Sequence, residues 1–238
     1  MRLDSKSKAY LTAVSIVGVA ILAVSAPLLP FQDWQGMLLL AVLCGIAQMM
    51  PVSLFRSSSI SVSAGITFAG LLLYGPMAAI WINMGSAVVV AFRPKWKPIH
   101  KVIFNAGNHA LAAGVAGVVY VGVGGVKVPE SLALSVIPIL LAAVCYFLVQ
   151  TLVVSGIIAL TERVPLLPTW DANFRGTALN FIGLAIISTT IASAGRSAGP
   201  IGIIIFSVPL VMAWYTFKHI QGRMVYPQPE FASKADQR

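Results

Sequence analysis

The feature that most constrains this chain is a succession of apolar stretches long enough to cross a bilayer as helices. Residues 9–31 and 133–160 contain no charged side chain, and a membrane-spanning helix needs only about 20 such residues. Hydrophobic residues make up 58% of the 238 residues and charged residues only 10%, whereas a soluble domain carries about 25% charged residues. A water-soluble fold cannot bury so much apolar surface. The sequence therefore predicts an all-α, polytopic transmembrane bundle.

Eight segments have the apolar character of membrane spans. The third and fourth would form one long helix without Gly75-Pro76, where proline removes a hydrogen-bond donor and disfavours helix in the preceding residue. Both segments are short, so a tilted or a re-entrant pair is an alternative to two complete crossings. The predicted spans are 9–31, 35–54, 62–74, 76–92, 99–123, 133–160, 175–194 and 200–220.

The distribution of basic residues predicts the orientation. With eight spans and a cytoplasmic N-terminus, fourteen of the sixteen lysines and arginines fall on the cytoplasmic side, and only Lys127 and Arg196 fall outside. This asymmetry is the positive-inside pattern, and it predicts a multi-pass protein of the bacterial inner membrane with both termini in the cytosol. The net charge of +9 is then explained by orientation and by attraction to anionic lipids, so we expect no nucleic-acid partner.

We predict one transmembrane domain over residues 1–221, followed by a mobile, polar cytoplasmic tail at 222–238. A weak internal repeat divides the domain into halves at 1–93 and 99–221. In each half a Phe-Arg pair precedes a helix, a Gly-Pro pair and a second helix, at Gly75-Pro76 and again at Gly199-Pro200. The serine-rich segment 56–65 has the alternation of a strand, but we favour a loop whose last serine caps the next helix.

Three polar residues lie close together inside the fifth span. Asn105, Asn108 and His109 have the spacing i, i+3, i+4 and share one helical face. His109 lies ten residues after Ile99, about 15 Å into the span and close to the bilayer midplane. Asn83 is predicted at a similar depth in the fourth span. We therefore predict a ligand-binding pocket of Asn83, Asn105, Asn108 and His109, reached from the cytosol; interhelical hydrogen bonds alone are the alternative.

The opposite face of the fifth span carries only small residues. Gly107, Ala110, Gly114 and Gly117 line it, and small residues let two helix backbones approach closely. A helix with one polar face and one small-residue face has little surface for lipid. We expect the fifth span to be central in the bundle.

Several chemistries are not indicated. None of the seven acids lies at the centre of a span, although carboxylate-driven pumps need one there. No catalytic or nucleotide-binding motif is present, and two isolated cysteines, Cys44 and Cys145, indicate neither a disulfide nor a metal site. We expect a non-enzymatic protein. Ligation of a pigment or haem by His109 is one alternative, because imidazole is a common axial ligand.

One stretch of about sixty residues resembles a known sensor region. It reads SISVSAGITFAGLLLYGPMAAIWINMGSAVVVAFRPKWKPIHKVIFNAGNHALAAGVAGVVY. Its order of serine-rich entry, helix, Gly-Pro, helix, basic loop and Phe104-Asn105 is similar to the membrane-embedded region upstream of bacterial HD-GYP phosphohydrolase and GGDEF cyclase domains. It is similar also to the S-components of energy-coupling-factor transporters. No output domain follows the last predicted span in this sequence, so the resemblance implies either a separate signalling partner or another use of the same module.

These observations lead to one hypothesis and one alternative. We expect a membrane module that binds a small, uncharged or lipophilic ligand for sensing or uptake, with a partner membrane or signalling subunit. The alternative is a non-catalytic structural subunit of a larger membrane complex, with or without a pigment or haem at His109.

Overall fold

The computed structural model describes residues 4–49, 52–55, 58–60, 62–92, 95–127 and 132–225. Over these ranges the chain forms α-helices, short 3-10 turns and one two-stranded hairpin. The first helix is capped by Asp4, whose side chain accepts a hydrogen bond from the Ser7 N–H at 2.9 Å. The helices are α1 (Ser5–Ser25), α2 (Trp34–Gln48), α3 (Ser63–Tyr74), α4 (Pro76–Phe92), α5 (Ile99–Gly122), α6 (Leu132–Glu162), α7 (Leu166–Phe174) and α8 (Ala178–Val225).

The helices follow the predicted spans closely in the middle of the chain. The third and fourth spans, predicted at 62–74 and 76–92, are α3 and α4 within one residue. Within the described ranges, four segments are long and apolar enough to cross a membrane: Ser5–Leu28, Ile99–Gly122, Leu134–Glu162 and Leu166–Val208. These segments confirm a helical membrane protein. Eight complete crossings, and cytoplasmic termini, stay predictions.

Gly75 turns the chain so that α3 and α4 pack antiparallel. Its φ of 87° is a conformation that side-chain-bearing residues rarely adopt, and Pro76 begins α4, where its missing N–H costs nothing. Thr67 and Asn83, eight residues before and after the glycine, are joined by a hydrogen bond of 3.2 Å. In one straight helix they would be about 24 Å apart. The predicted separation of the two helices is confirmed.

A second fold-back lies inside α8, at Gly199 (φ 59°, ψ −146°). Gly195 and Gly202 approach Ile203 and Ala194 respectively, contacts that a continuous helix cannot make. The first arm of α8, residues 178–198, runs parallel to α3, and contacts between the two occur at both ends of α3. Both Gly-Pro pairs therefore mark helical hairpins that pack on each other, while the proposed repeat of two halves stays a prediction.

The short helix α3 is the most enclosed part of the bundle. Every residue from Ser63 to Leu73 is buried, and α2, α4 and α8 surround the helix. The outer helices expose large apolar side chains instead, including Val24 at 68%, Leu134 at 77% and Leu179 at 79%. Such an apolar exterior suits acyl chains rather than water, in agreement with the composition.

The small-residue face of α5 confirms its predicted role. A Cβ atom built on Gly107 would lie 2.8 Å from the backbone oxygen of Val14 in α1, and Gly114 faces Ile21 two turns farther along. The two helices are therefore parallel and in backbone contact. Gly117 meets Pro76 at the start of α4. With α6 on its remaining side, α5 contacts three helices, as a central helix should.

Three segments differ from expectation. Residues 161–174, which lie between two predicted spans and were not predicted to be helical, contain α7, which begins after Pro165 because proline is accepted at a helix start. The serine-rich segment forms strand β2 (Ser58–Ile60), which pairs antiparallel with β1 (Val52–Phe55). Its last serine, Ser63, donates to Gln48 Oε1 at 2.9 Å and does not cap α3. The predicted tail is helical to Val225, and residues 226–238 lie outside the described part of the chain.

Candidate functional site

A buried hydrogen-bond network centres on Asn83 of α4. Its Nδ2 donates to the backbone carbonyl of His109 at 3.0 Å and to the hydroxyl of Tyr146 in α6 at 3.0 Å. Its Oδ1 lies 3.2 Å from the same hydroxyl and accepts from Thr67 Oγ1, also at 3.2 Å. The amide has no exposed surface. Since two donors and two acceptor positions are occupied, Asn83 joins α3, α4, α5 and α6.

The network continues from Thr67 toward α2. Cys44 Sγ lies 3.5 Å from Thr67 Oγ1 and 3.1 Å from Ser86 Oγ. The sequence indicated neither a disulfide nor a metal site for Cys44, and the structure gives it these polar contacts. Its burial is complete. Because polar groups inside a bilayer cost several kcal/mol when unpaired, the network as a whole fixes the relative positions of five helices, α2 to α6.

The three polar residues of α5 differ in their surroundings. Asn105 is half-buried, whereas Asn108 and His109 are 3% and 6% exposed. Asn108 Nδ2 donates to the Gln150 carbonyl of α6 at 3.2 Å. However, Asn108 Oδ1 and His109 Nδ1 are both buried without a hydrogen-bond partner among the described residues. Unpaired buried polar atoms are uncommon, and Ser7 Oγ and Ser155 Oγ are two others in the described ranges. The Asn108–His109 pair differs from them in bringing two such atoms together on consecutive residues, where one outside partner can meet both.

A cavity of about 1190 Å³ opens beside the start of α5. It lies between the first half of α1, the N-terminal end of α5 with the preceding loop, and the C-terminal end of α6. Its polar lining is Lys8, Thr12, Lys97, His100, Lys101, Asn105 and Thr161. Its apolar wall is formed by Leu11, Pro98, Phe104, Val154, Ile157 and Ile158.

The cavity is positively charged. Lys8, Lys97 and Lys101 form what we call the lysine rim, and no carboxylate lies within ion-pair distance of them in the described ranges. The pKa of Lys97 is lowered from its ordinary value, first because partial burial penalises the ammonium ion and second because Lys101 repels it. Like charges are therefore held together without a counterion. Such a rim attracts anions.

The cavity and the unpaired pair are neighbours along α5. Phe104 and Asn105 line the cavity, and Asn108 and His109 follow them at i+4, one helical turn farther from the rim. One turn corresponds to about 5.4 Å. Asn105, Asn108 and His109, three of the four predicted site residues, thus lie on one face near the start of α5. Asn105 lines the cavity, and the other two lie deeper.

The fourth predicted residue, Asn83, is not part of the cavity lining. It lies behind α5, where it holds the His109 carbonyl. Sequence reasoning missed Tyr146 and the lysine rim. Tyr146 is one polar atom in an apolar helix and gives no local signal. Lys97 and Lys101 belong to the basic residues that were attributed to orientation and to attraction of anionic lipids. Their approach to Lys8 was not predicted.

The described residues contain no group of three or more histidines, cysteines, aspartates or glutamates that is able to hold a metal ion. The pigment or haem alternative therefore depends on His109, which is 6% exposed. Ligation by one histidine stays a prediction.

Residues 14–223 match the MASE9 family, a family of membrane-associated sensory domains. The chain belongs to the MASE9 family. No curated protein and no solved structure matches it significantly.

Membership of the MASE9 family confirms the coarser part of the resemblance seen in the sequence, since the chain is a membrane sensory module. The match includes all of α2 to α7, and therefore the polar residues of α4, α5 and α6. The specific links to HD-GYP and GGDEF proteins, and to energy-coupling-factor transporters, stay predictions.

Proposed function

We propose that this MASE9 chain is a non-enzymatic sensor of the bacterial inner membrane that binds a small lipophilic ligand in the α5 cavity. The lysine rim faces the cytosol, in keeping with the positive-inside pattern. Asn105, Asn108 and His109 contact the ligand, and Asn83 holds the helix that carries them. Signalling then passes to a separate partner subunit.

The observation that carries this proposal is the pair of buried, unpaired atoms, Asn108 Oδ1 and His109 Nδ1. An unsatisfied polar atom in an apolar interior costs about 1–3 kcal/mol in protein mutational data. A ligand entering past Asn105 offers both atoms a partner. An ordered water is the alternative partner for the same two atoms. The ligand and the water are distinguished by purification, because only a ligand is retained as a small molecule.

The network around Asn83 supplies a route from the cavity to the rest of the bundle. The ligand would contact His109, whose carbonyl is bonded to Asn83, and Asn83 is bonded to Tyr146 and Thr67. A shift of α5 therefore changes hydrogen bonds in α3 and α6. Such a connection between the cavity and distant helices is what a sensor would use to transmit ligand binding.

The test is mass spectrometry of the protein purified gently in nanodiscs. Wild type should retain a small molecule that is lost from Asn108→Leu and His109→Leu, with Leu179→Ala, an exposed residue of α8, as the matched control. If wild type and both variants retain no molecule, the pair is hydrated and the proposal is wrong.

A structural subunit is the second candidate, favoured by the completeness of the Asn83 network. It predicts co-purifying membrane subunits and no retained ligand. A visible absorption band that disappears in His109→Leu would instead support a pigment or haem at that histidine.

A further inference from the structure

The α5 cavity has both a charged surface and an apolar surface, which is more than a small polar ligand would contact. One is the lysine rim, and the other is the apolar wall, in which five of the six residues belong to α1, α5 and α6. The volume of about 1190 Å³ is large even for a drug-sized ligand site, which measures about 300–1,000 Å³. The cavity has room for a molecule with a charged end and a long apolar end.

The depth of the polar groups adds a third requirement. Asn108 and His109 lie one turn beyond the part of α5 that lines the cavity, about 5.4 Å farther from the rim. Their unpaired atoms need a partner at that depth. A ligand that satisfies every group therefore carries an anionic head, a hydroxyl a few ångströms behind it that donates to Asn108 Oδ1, an oxygen that accepts from the His109 Nδ1–H, and an apolar chain.

We infer that the ligand of this site is an anionic amphiphile with the organisation of a glycerophospholipid. Its phosphate binds at the lysine rim, a free glycerol hydroxyl donates to Asn108 Oδ1, an ester oxygen accepts from the His109 Nδ1–H, and its acyl chain packs on the apolar wall. This inference rests on the proposed function and narrows its ligand to one chemical class.

Charge balance is the strongest argument for the phosphate. A charged lysine that is partly removed from water and close to another lysine is unfavourable unless an anion compensates it. These two effects, partial burial and repulsion by Lys101, lower the pKa of Lys97. Elsewhere, Lys127 and Arg175 each have an acidic partner, Asp33 and Asp171 respectively. The rim, which has no such acid in the described ranges, is the place where an external anion fits.

The experiment compares two probes that differ only in the phosphate. Lysophosphatidic acid and the monoacylglycerol of the same chain length are added below their micelle concentrations to protein in nanodiscs of zwitterionic lipid. Native mass spectrometry then measures the bound fraction. Lysophosphatidic acid should bind at least about tenfold more tightly, as expected for charge-assisted hydrogen bonds, and inorganic phosphate alone should not bind.

The variants test the rim directly. Lys97→Gln/Lys101→Gln should weaken lysophosphatidic acid binding about tenfold and leave monoacylglycerol unchanged. The matched control is Lys127→Gln/Arg175→Gln, which removes the same charge away from the cavity and should change the binding of neither probe.

Because a rim variant can misfold, a second measurement uses the unmodified protein. Raising salt from about 0.05 M to about 0.5 M should weaken only the phosphate-bearing probe.

The source of the lipid is tested in a separate arm. Nanodiscs containing phosphatidylglycerol should compete with lysophosphatidic acid if the natural ligand is a bilayer lipid, and should not compete if it is a soluble amphiphile; either result leaves the ligand class intact. Equal binding of the two probes, insensitive to salt and to the rim variants, overturns the inference but leaves the lipophilic ligand of the proposed function. Failure of both probes to bind overturns the inference, and retention of an endogenous molecule lost in His109→Leu would still support the proposed function.

Discussion

The side chain of Asn83 donates a hydrogen bond to the backbone carbonyl of His109 at 3.0 Å. A residue of α4 thereby holds the helix turn that carries the imidazole, without contacting the imidazole itself. The carbonyl of a helix residue normally accepts from the N–H four residues later, so this bond adds a second donor to the same oxygen. The relationship explains how a residue outside the cavity contributes to the site.

Removing the Tyr146 hydroxyl should weaken this arrangement. Tyr146→Phe leaves Asn83 without one of its partners, so we expect a loss of about 1–2 kcal/mol in the free energy of unfolding. Thermal unfolding in detergent, followed by tryptophan fluorescence, measures it. Leu179→Ala on the exposed face of α8 should have little effect. An unchanged midpoint for Tyr146→Phe would mean that the network does not stabilise the bundle.

A methyl group at Gly107 should separate α1 from α5. The added Cβ would lie 2.8 Å from the Val14 oxygen, a backbone atom that cannot move alone, so Gly107→Ala should destabilise the protein by about 1–3 kcal/mol. Gly183→Ala is the matched control, because nothing lies within 4 Å of its Cβ position. That control should be neutral or slightly stabilising, since alanine favours helix. The prediction is wrong if both variants unfold alike.

Gly199→Ala isolates backbone strain from packing. No atom lies within 4 Å of the Cβ position, yet φ is 59° and ψ is −146°, a combination almost restricted to glycine. We expect a cost of about 1–3 kcal/mol in unfolding free energy. Gly122→Ala, which also meets open space but has no positive φ, should cost much less. Comparable midpoints for the two variants would show that the hairpin tolerates alanine.

Lysophosphatidic acid affinity should fall at high pH, through the neutralisation of Lys97. Since the pKa of Lys97 is lowered, the ammonium is lost at a pH below its ordinary value of 10.5, and the anion loses its attraction as pH rises through that lowered value. In Lys101→Gln the repulsion is gone, so the decline moves to higher pH although the affinity is lower overall.

The measurement is a titration of probe binding from neutral pH upward. Monoacylglycerol, which has no charge, serves as the control and should bind equally throughout. A decline for wild type that coincides with that of Lys101→Gln would contradict the assigned repulsion.

Much of the fold follows from local patterns in the sequence. The hairpin of α3 and α4 was predicted within one residue because Gly75-Pro76 supplies both the positive φ and the missing donor that stop a helix. The close contact at Gly107 was predicted because small residues at helical spacing have few other uses in a membrane. Both signals lie within a few consecutive residues.

What the sequence did not reveal depends on distant residues. Tyr146 and Asn83 are 63 positions apart, and nothing near Tyr146 indicates a partner. The cavity is formed by α1, α5 and α6, so its charge emerges only when Lys8 is brought to Lys97 and Lys101. The asparagines were predicted correctly as buried or half-buried. That Asn105 lines the cavity whereas Asn83 supports α5 from behind follows only from the packing of α4 against α5.

The contact between Gly18 and Gly107 has a mechanical consequence. Because no side chain separates the two backbones, α1 and α5 are in direct contact and form two adjoining walls of the cavity. The third wall is α6, whose Tyr146 bonds to Asn83 and whose Thr151 accepts from the indole N–H of Trp170 in α7. A ligand that displaces α6 would therefore disturb both the interior amide and the next helix of the chain.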